Sequence, residues 1–182
     1  ILDGTLSARG VAMLASALFV LAPLLLINRV LTDRPLLLAF GAAAAAIGLL
    51  YSANPVRLSA RGLGEACVLI NFGLLLALTT GYALTGRVDP TLLVVGAVPG
   101  SLITAVLWIN QFPDYEADSD TAKLNLVVRL GKARSRWIYV ALMLLPFVVV
   151  LAFAATRVWP LATLLVLLLS VAELANGACG SG

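Results

Sequence analysis

The chain consists of long runs of apolar residues separated by short polar segments. A helix needs about 20 apolar residues to cross the hydrocarbon core of a bilayer. Six runs reach or approach that length, and they predict helices at roughly 11–27, 35–53, 66–86, 90–109, 136–156 and 158–175. The pattern therefore predicts an all-α, multi-pass transmembrane helical bundle.

Composition supports a membrane protein rather than a soluble domain. Of the 182 residues, 62% are hydrophobic and 12% are charged, whereas soluble domains usually carry about 25% charged residues. The net charge of +3 comes from basic residues scattered through short loops, which indicates membrane topology rather than nucleic-acid binding. The chain has no histidine, which excludes a histidine-activated nucleophile and a histidine-bound metal.

Basic residues are distributed unequally between the two sides of the predicted bundle. One side holds the N-terminal segment and the loops after the second and fourth helices, with Arg9, Arg57, Arg61, Lys123, Arg129, Lys132, Arg134 and Arg136. The opposite side holds Arg29, Arg34, Arg87 and Arg157. Because cytoplasmic loops carry an excess of basic residues, the first side is predicted to face the cytoplasm. The membrane itself is expected to be the inner membrane of a prokaryotic cell.

The segment after the fourth predicted helix has the most informative polar spacing. Asn110, Asp114 and Asp118 recur every four residues, which predicts that they share one helical face. Carboxylates at a bilayer edge are costly unless they are paired or metal-bound, so two on one face suggest a site for a hard divalent cation. The alternative is that both are solvated, or are paired with Lys123 and Arg129, and the spacing leaves both interpretations open.

Two longer loops lie on the predicted cytoplasmic side. The first loop, residues 54–65, follows Tyr51 and places Arg57 and Arg61 near Glu65, with glycines that permit close backbone approach. Such a loop suits an anion, although its arginines could be topology anchors instead.

The second loop, residues 118–132, runs from carboxylates to cations, including Lys123 and Arg129. A metal-bound polyphosphate needs acidic ligands for the ion and basic groups for its oxygens. The second loop therefore indicates an enzyme site for such a substrate.

These segments resemble the motifs of the UbiA superfamily of intramembrane prenyltransferases. The family's second aspartate motif is similar to Asp114-Tyr-Glu116-Ala-Asp118 followed by Lys123 and Asn125-Leu-Val-Val-Arg129-Leu-Gly131. The loop between the family's fourth and fifth helices is similar to the segment from Tyr51 through Arg61-Gly-Leu-Gly-Glu65. Both segments most closely resemble the branch that acts on 1,4-dihydroxy-2-naphthoate in menaquinone synthesis.

The resemblance implies that the protein transfers a prenyl group from an allylic prenyl diphosphate to an electron-rich aromatic acceptor. It implies Mg²⁺ as cofactor, with Asp114 and Asp118 as catalytic metal ligands. The substrate-binding residues that it implies are Lys123, Arg129, Arg61, Asn110, Tyr51 and Glu65. Among these, the cations would neutralise the departing diphosphate, and Tyr51 or Glu65 would orient the acceptor.

The chain departs from the family pattern at two positions and in its extent. Ala122 stands where the family usually has glycine, and Asn125 stands where it usually has threonine. The family's nine helices map onto this chain from the third to the eighth, which would place the first aspartate motif before Ile1. We therefore expect one partial domain at 1–175 and a polar tail at 176–182.

Two other function classes stay open at this point. A transporter or channel segment would use the acidic face as an ion path, but such proteins usually carry ionisable residues near the middle of the bilayer. A non-catalytic protein would bind a prenyl lipid or prenyl diphosphate without turning it over.

Overall fold

The computed structural model of the protein describes residues 7–165, which form seven α-helices and contain no strand. In chain order the helices are α1 (Ala8–Thr32), α2 (Leu36–Ser52), α3 (Gly64–Thr85), α4 (Thr91–Asn110), α5 (Tyr115–Asp120), α6 (Leu126–Leu130) and α7 (Lys132–Ala155). Within α3, the segment Ile70–Leu75 is π-helical, and short 3₁₀ turns occur at Leu58–Ala60 and Leu161–Leu164. The predicted all-α fold class is confirmed.

The membrane-spanning helices follow the apolar runs of the sequence. In the described part of the chain, α3, α4 and α7 are long and apolar enough to cross a membrane, and α2 is a shorter apolar helix of 17 residues. Most of the sixth predicted helix, 158–175, lies outside the described residues, as do residues 1–6 and the predicted tail at 176–182. The multi-pass helical bundle is therefore built from the runs that the hydrophobic pattern singled out.

Helix α4 lies at the centre of the bundle, because it packs against both α3 and α7. Its crossing with α3 is a direct backbone contact: a Cβ placed on Gly73 would lie 2.6 Å from the carbonyl oxygen of Gly96 and 2.8 Å from the Cα of Gly100. Small residues permit such close approach between membrane helices. Farther along, Gly81 meets Leu92, so α3 and α4 form an antiparallel hairpin around the turn at 86–90.

The antiparallel hairpin places both longer loops at one end of the bundle. Helix α3 begins where the first loop ends, and α4 ends where the chain enters the second loop. The turn at 86–90 lies at the opposite end. The two polar segments recognised in the sequence are therefore brought together by the α3–α4 hairpin.

Candidate active site between the two loops

The predicted helical face of Asn110, Asp114 and Asp118 is wrong, because the three residues do not lie on one helix. Helix α4 ends at Asn110, residues 111–114 form a turn, and α5 begins only at Tyr115. Pro113 has no backbone N–H and disfavours the helical conformation of the residue before it, which favours a break between α4 and α5. As a result, Asn110 and Asp114 are exposed whereas Asp118 is buried.

Asp118 is held by a cation and an amide. Lys123 donates from Nζ to both carboxylate oxygens, at 3.1 Å to Oδ1 and 3.0 Å to Oδ2. Asn125 donates from Nδ2 to Oδ2 at 2.8 Å. Asp118 is 8% exposed, and charge-assisted hydrogen bonds in such an enclosed position are stronger than neutral ones. The carboxylate is therefore oriented by its neighbours rather than by solvent.

Asn125 links this carboxylate to helix α6. It is fully buried and is the N-cap of α6, because its Oδ1 accepts a hydrogen bond from the backbone N–H of Val128 at 2.9 Å. An asparagine at this position satisfies a donor that the first helical turn leaves without a partner. One side chain thus caps a helix with its oxygen and holds Asp118 with its nitrogen.

A sharp turn at Ala122 directs Lys123 and Asn125 back toward Asp118. Ala122 has a φ of +54°, in the left-handed region, and the backbone N–H of Lys123 donates to the Asp118 carbonyl at 2.9 Å. Glycine is favoured in this conformation, and an L residue there costs roughly 1–2 kcal/mol. The glycine that usually stands at this position in the UbiA pattern therefore has a conformational reason, and alanine retains the turn at the cost of strain.

The first loop is hydrogen-bonded directly to the second. The backbone N–H of Leu124 donates to the Ala60 carbonyl at 3.0 Å. Gly62, with a φ of +73°, lies so close to Arg129 that an added Cβ would be 2.8 Å from the guanidinium Nε. The two segments that the sequence analysis treated separately therefore form one surface.

Glu65 is the deepest connection between the loops. Its residue is 2% exposed, and its Oε1 accepts from Gln111 Nε2 at 2.9 Å and from the backbone N–H of Leu126 at 3.1 Å. Within residues 7–165, neither Glu65 Oε2 nor Gln111 Oε1 has a hydrogen-bond donor as partner. Glu65 thus joins the start of α3, the turn after α4 and the start of α6.

The exposed charges lie on the same two loops. Arg61 donates from Nη2 to the Pro55 carbonyl at 2.8 Å, and Arg129 donates from Nε to the Leu124 carbonyl at 2.9 Å. These bonds hold the arginine stems against the backbone while both residues stay exposed. The Lys123 side chain is 39% exposed although it is paired with Asp118. This end of the bundle therefore carries exposed cations together with the exposed carboxylates of Asp114, Glu116 and Asp120.

Two predicted site residues, Tyr51 and Asn110, make none of the hydrogen bonds described above. Tyr51 is half-buried at the end of α2, and its ring lies against Gly64, where an added Cβ would be 3.3 Å from Cε2. Asn110 is exposed at the last position of α4. Their roles as substrate-binding residues stay predictions.

Gln111 and the dual role of Asn125 were not predicted from the sequence. Asn125 had a recognisable signal, since asparagine before Leu-Val-Val-Arg is a typical N-cap. Gln111 had none, because a glutamine after an apolar helix is usually an exposed residue, and here it is 7% exposed.

The oxygen donors at this site suit a metal ion that is held partly by the protein and partly by water and substrate, rather than by protein ligands alone. In the described range 7–165, no three acidic or cysteine side chains are grouped so that they could hold a metal ion by themselves. Mg²⁺, however, is commonly held by one or two carboxylates together with water and substrate phosphates. Asp114 and Asp118 supply that number of carboxylates, and the exposed Asp114 is open to such an ion. The residues present therefore fit an ion that a diphosphate helps to bind.

The fold and the site define an integral-membrane helical bundle with one polar, mixed-charge site at the end of its apolar helices. The model of the UbiA prenyltransferase family matches residues 1–177, and the chain belongs to this family. The resemblance seen in the sequence is thereby confirmed.

Relatives of known function carry the name 1,4-dihydroxy-2-naphthoate octaprenyltransferase. The one from Mycobacterium leprae is 33% identical over 129 residues, which cover 71% of this chain and 44% of the relative. The one from Mycobacterium tuberculosis is 37% identical over 145 residues, which cover 78% of this chain and 49% of the relative. The matched region is thus about half the length of these relatives. No solved structure matches the chain.

Proposed function

We propose that the protein transfers a prenyl group from an allylic prenyl diphosphate to an aromatic acceptor within the membrane, with Mg²⁺ as cofactor. The cluster of Asp118, Lys123 and Asn125 carries this proposal, because it places an oriented carboxylate and a cation at the end of an apolar bundle. The names of the relatives support 1,4-dihydroxy-2-naphthoate as the acceptor and an octaprenyl group as the donor chain.

The acidic residues are assigned to the ion and the basic residues to the leaving group. Asp114 and Asp118 are the proposed ligands, and the bound ion supplies positive charge where the departing diphosphate becomes more negative. Lys123, Arg129 and Arg61 are proposed to bind the diphosphate oxygens. An ammonium group has three donors, so Lys123 is able to contact a diphosphate while it keeps a bond to Asp118.

The apolar bundle is proposed to hold the isoprenoid chain and to exclude water from the allylic cation. An open depression of about 350 Å³ on α3 and α4, bordered by Trp159 after α7, is lined mostly by apolar side chains that include Leu76, Val95 and Val98. Leu76 lies about 18 Å along α3 from Gly64, at 1.5 Å per residue. A long prenyl chain whose diphosphate binds at the loops would reach this depression.

The loop end is proposed to face the cytoplasm, because it carries the larger number of basic residues. This orientation gives the site access to prenyl diphosphates and soluble aromatic acceptors made in the cytoplasm.

The test is a transfer assay on the complete gene product that contains this sequence, reconstituted in liposomes. Octaprenyl diphosphate and 1,4-dihydroxy-2-naphthoate are supplied with Mg²⁺ or with a chelator, and both prenylated product and released diphosphate are measured. We expect equal amounts of the two products with Mg²⁺ and neither with the chelator. Binding of octaprenyl diphosphate without product would identify a non-catalytic lipid-binding protein, and ion flux without product would identify a transporter.

A further inference from the structure

The first loop holds the backbone on both sides of Asn125. The N–H of Leu124 donates to the Ala60 carbonyl at 3.0 Å, and the N–H of Leu126 donates to Glu65 Oε1 at 3.1 Å. Asn125 lies between these two anchor points and donates its side-chain amide to Asp118 at 2.8 Å. The orientation of the Asp118 carboxylate thus depends on contacts made by the first loop.

We propose that Glu65 is a positioning residue that orients Asp118 through Leu126 and Asn125. The proposal rests on the proposed function for its catalytic consequence, but its structural part does not depend on that function. Glu65 does not touch Asp118; it fixes the start of α6, and the N-cap of α6 holds the carboxylate.

Helix α6 needs such an anchor because it is too short to be stable alone. It contains 5 residues, whereas isolated helices shorter than about 12 residues are marginal in water. The cap bond from Val128 to Asn125 fixes Asn125 relative to α6, but it does not fix α6 relative to the bundle. The bond from Leu126 to Glu65 supplies that second connection, because Glu65 lies in the first turn of α3.

The bonding and burial of Glu65 favour positioning over direct contact with a substrate. Oε1 is occupied by two protein donors, one from Leu126 and one from Gln111. Oε2 is closed to solvent, so a substrate does not reach it without rearrangement of the loops. Burying a carboxylate is costly unless it makes such bonds, and here the bonds join three separate elements of the fold.

The first test replaces Glu65 by glutamine or by leucine. Glu65→Gln keeps a carbonyl oxygen that is able to accept from both donors, whereas Glu65→Leu keeps the approximate size and removes the acceptor. Changes in groups that orient metal ligands typically cost about 10–100-fold in metal affinity or activity. We expect Glu65→Leu to raise the Mg²⁺ concentration for half-maximal transfer by about 10-fold or more, with near wild-type behaviour of Glu65→Gln.

Hydrogen exchange gives a readout that requires no activity. In Glu65→Leu, the backbone amides of Leu126 and Val128 should exchange faster, while Glu65→Gln should exchange as the wild type does. Glu116→Leu is the matched control, because Glu116 is an exposed glutamate of α5 and its replacement should leave these amides unchanged. Unchanged exchange in Glu65→Leu would overturn the proposal, as would equal loss of Mg²⁺ affinity in the glutamine and leucine variants.

A second variant removes the same hydrogen bond from its donor side, so the proposal stays testable if Glu65→Leu misfolds. Leu126 is the first residue of α6, where proline is well tolerated, and Asn125 has the extended ψ of 171° that precedes a proline readily. Leu126→Pro removes the donor to Glu65 and should show the same Mg²⁺ shift and the same faster exchange at Val128.

The double variant Glu65→Leu/Leu126→Pro should need no more Mg²⁺ than the more impaired single variant, because both substitutions remove the same bond. Additive losses would contradict a shared bond. If the wild-type protein showed no prenyl transfer, only the proposed function would be refuted. The positioning role of Glu65 would still be tested by hydrogen exchange, which requires no activity.

Discussion

The two ends of the α3–α4 hairpin contain similar polar residues but bond them differently. At the 86–90 turn, the N–H of Arg87 donates to Thr85 Oγ1 at 3.2 Å, and the N–H of Thr91 donates to Asp89 Oδ1 at 2.9 Å. Both bonds join residues two positions apart. Hydrogen bonds from Thr91 lower the pKa of Asp89, so this exposed carboxylate is ionised at neutral pH. The hydrogen bonds of this turn are therefore local, and the Arg34 guanidinium packs against it at Gly86, where an added Cβ would lie 2.8 Å from Cζ.

At the loop end, the decisive bonds join residues far apart in the chain. Glu65 accepts from residues 46 and 61 positions away, Gln111 and Leu126. The Glu65 and Gln111 side chains are buried, so their polar atoms require protein partners that only the folded bundle supplies. The comparison shows that a polar residue at a helix end becomes part of a site when distant segments enclose it.

The largest difference between the two ends is expected when one carboxylate is replaced at each end. Asp118→Asn removes the charge that pairs with Lys123 and the proposed metal ligand, so prenyl transfer should fall by about 100-fold or more. Asp89→Asn changes an exposed carboxylate at the opposite end and should leave the rate within about twofold. Both variants are measured in the liposome transfer assay. Equal losses would show that the two ends do not differ in function.

The next largest effect concerns the helix crossing that connects the two ends. Gly73→Ala places a Cβ 2.6 Å from the Gly96 carbonyl oxygen, and we expect it to lower the free energy of unfolding by about 1–3 kcal/mol. Hydrogen exchange should rise at Leu126 more than at Thr91, because the bonds of the loop end depend on how α3 and α4 meet.

The matched control for this crossing is Gly48→Ala in α2. A Cβ at Gly48 would meet nothing within 4 Å, so the substitution should stabilise the helix by up to about 1 kcal/mol. Denaturation in detergent compares the two variants. A stability loss in Gly48→Ala as large as in Gly73→Ala would contradict the packing argument.

A smaller effect is expected for Ala122→Gly, which should stabilise the loop end. Glycine adopts a φ of +54° without the strain that alanine has there, so the free energy of unfolding should rise by about 1 kcal/mol. Thermal unfolding measures this gain. Unchanged or lower stability would show that Ala122 is not strained.

The smallest expected effect is that of Glu116, a charged residue at the loop end whose side chain is exposed. It tests whether a charged residue there stabilises the fold only when it is buried. Glu116 pairs with Lys132 at 3.1 Å, but the two side chains are 78% and 49% exposed. Exposed ion pairs contribute little, so Glu116→Gln should change the free energy of unfolding by less than about 0.5 kcal/mol. A loss above about 2 kcal/mol in the same unfolding measurement would mean that the exposed pair is structurally important.

Part of the candidate site could be predicted because its residues stand close together in sequence. Asp118 and Lys123 lie within one short loop, and their pairing was one of the alternatives that the spacing left open. The continuous face from Asn110 to Asp118 was predicted wrongly, because the periodicity was followed through Pro113, which favours a break in the helix. Local backbone chemistry outweighed a regular spacing.

The sequence alone was enough to predict the class of protein, the family and the long apolar helices within residues 7–165. These follow from the length and apolar character of each run and from short motifs, which do not require knowledge of distant contacts. Only the tertiary structure decided that Glu65 meets Gln111 and Leu126, and that the first loop holds Asn125 against Asp118. The physical reason is that a hydrogen bond depends on distance in space, and the close crossing of α3 and α4 brings together residues that are far apart in the chain.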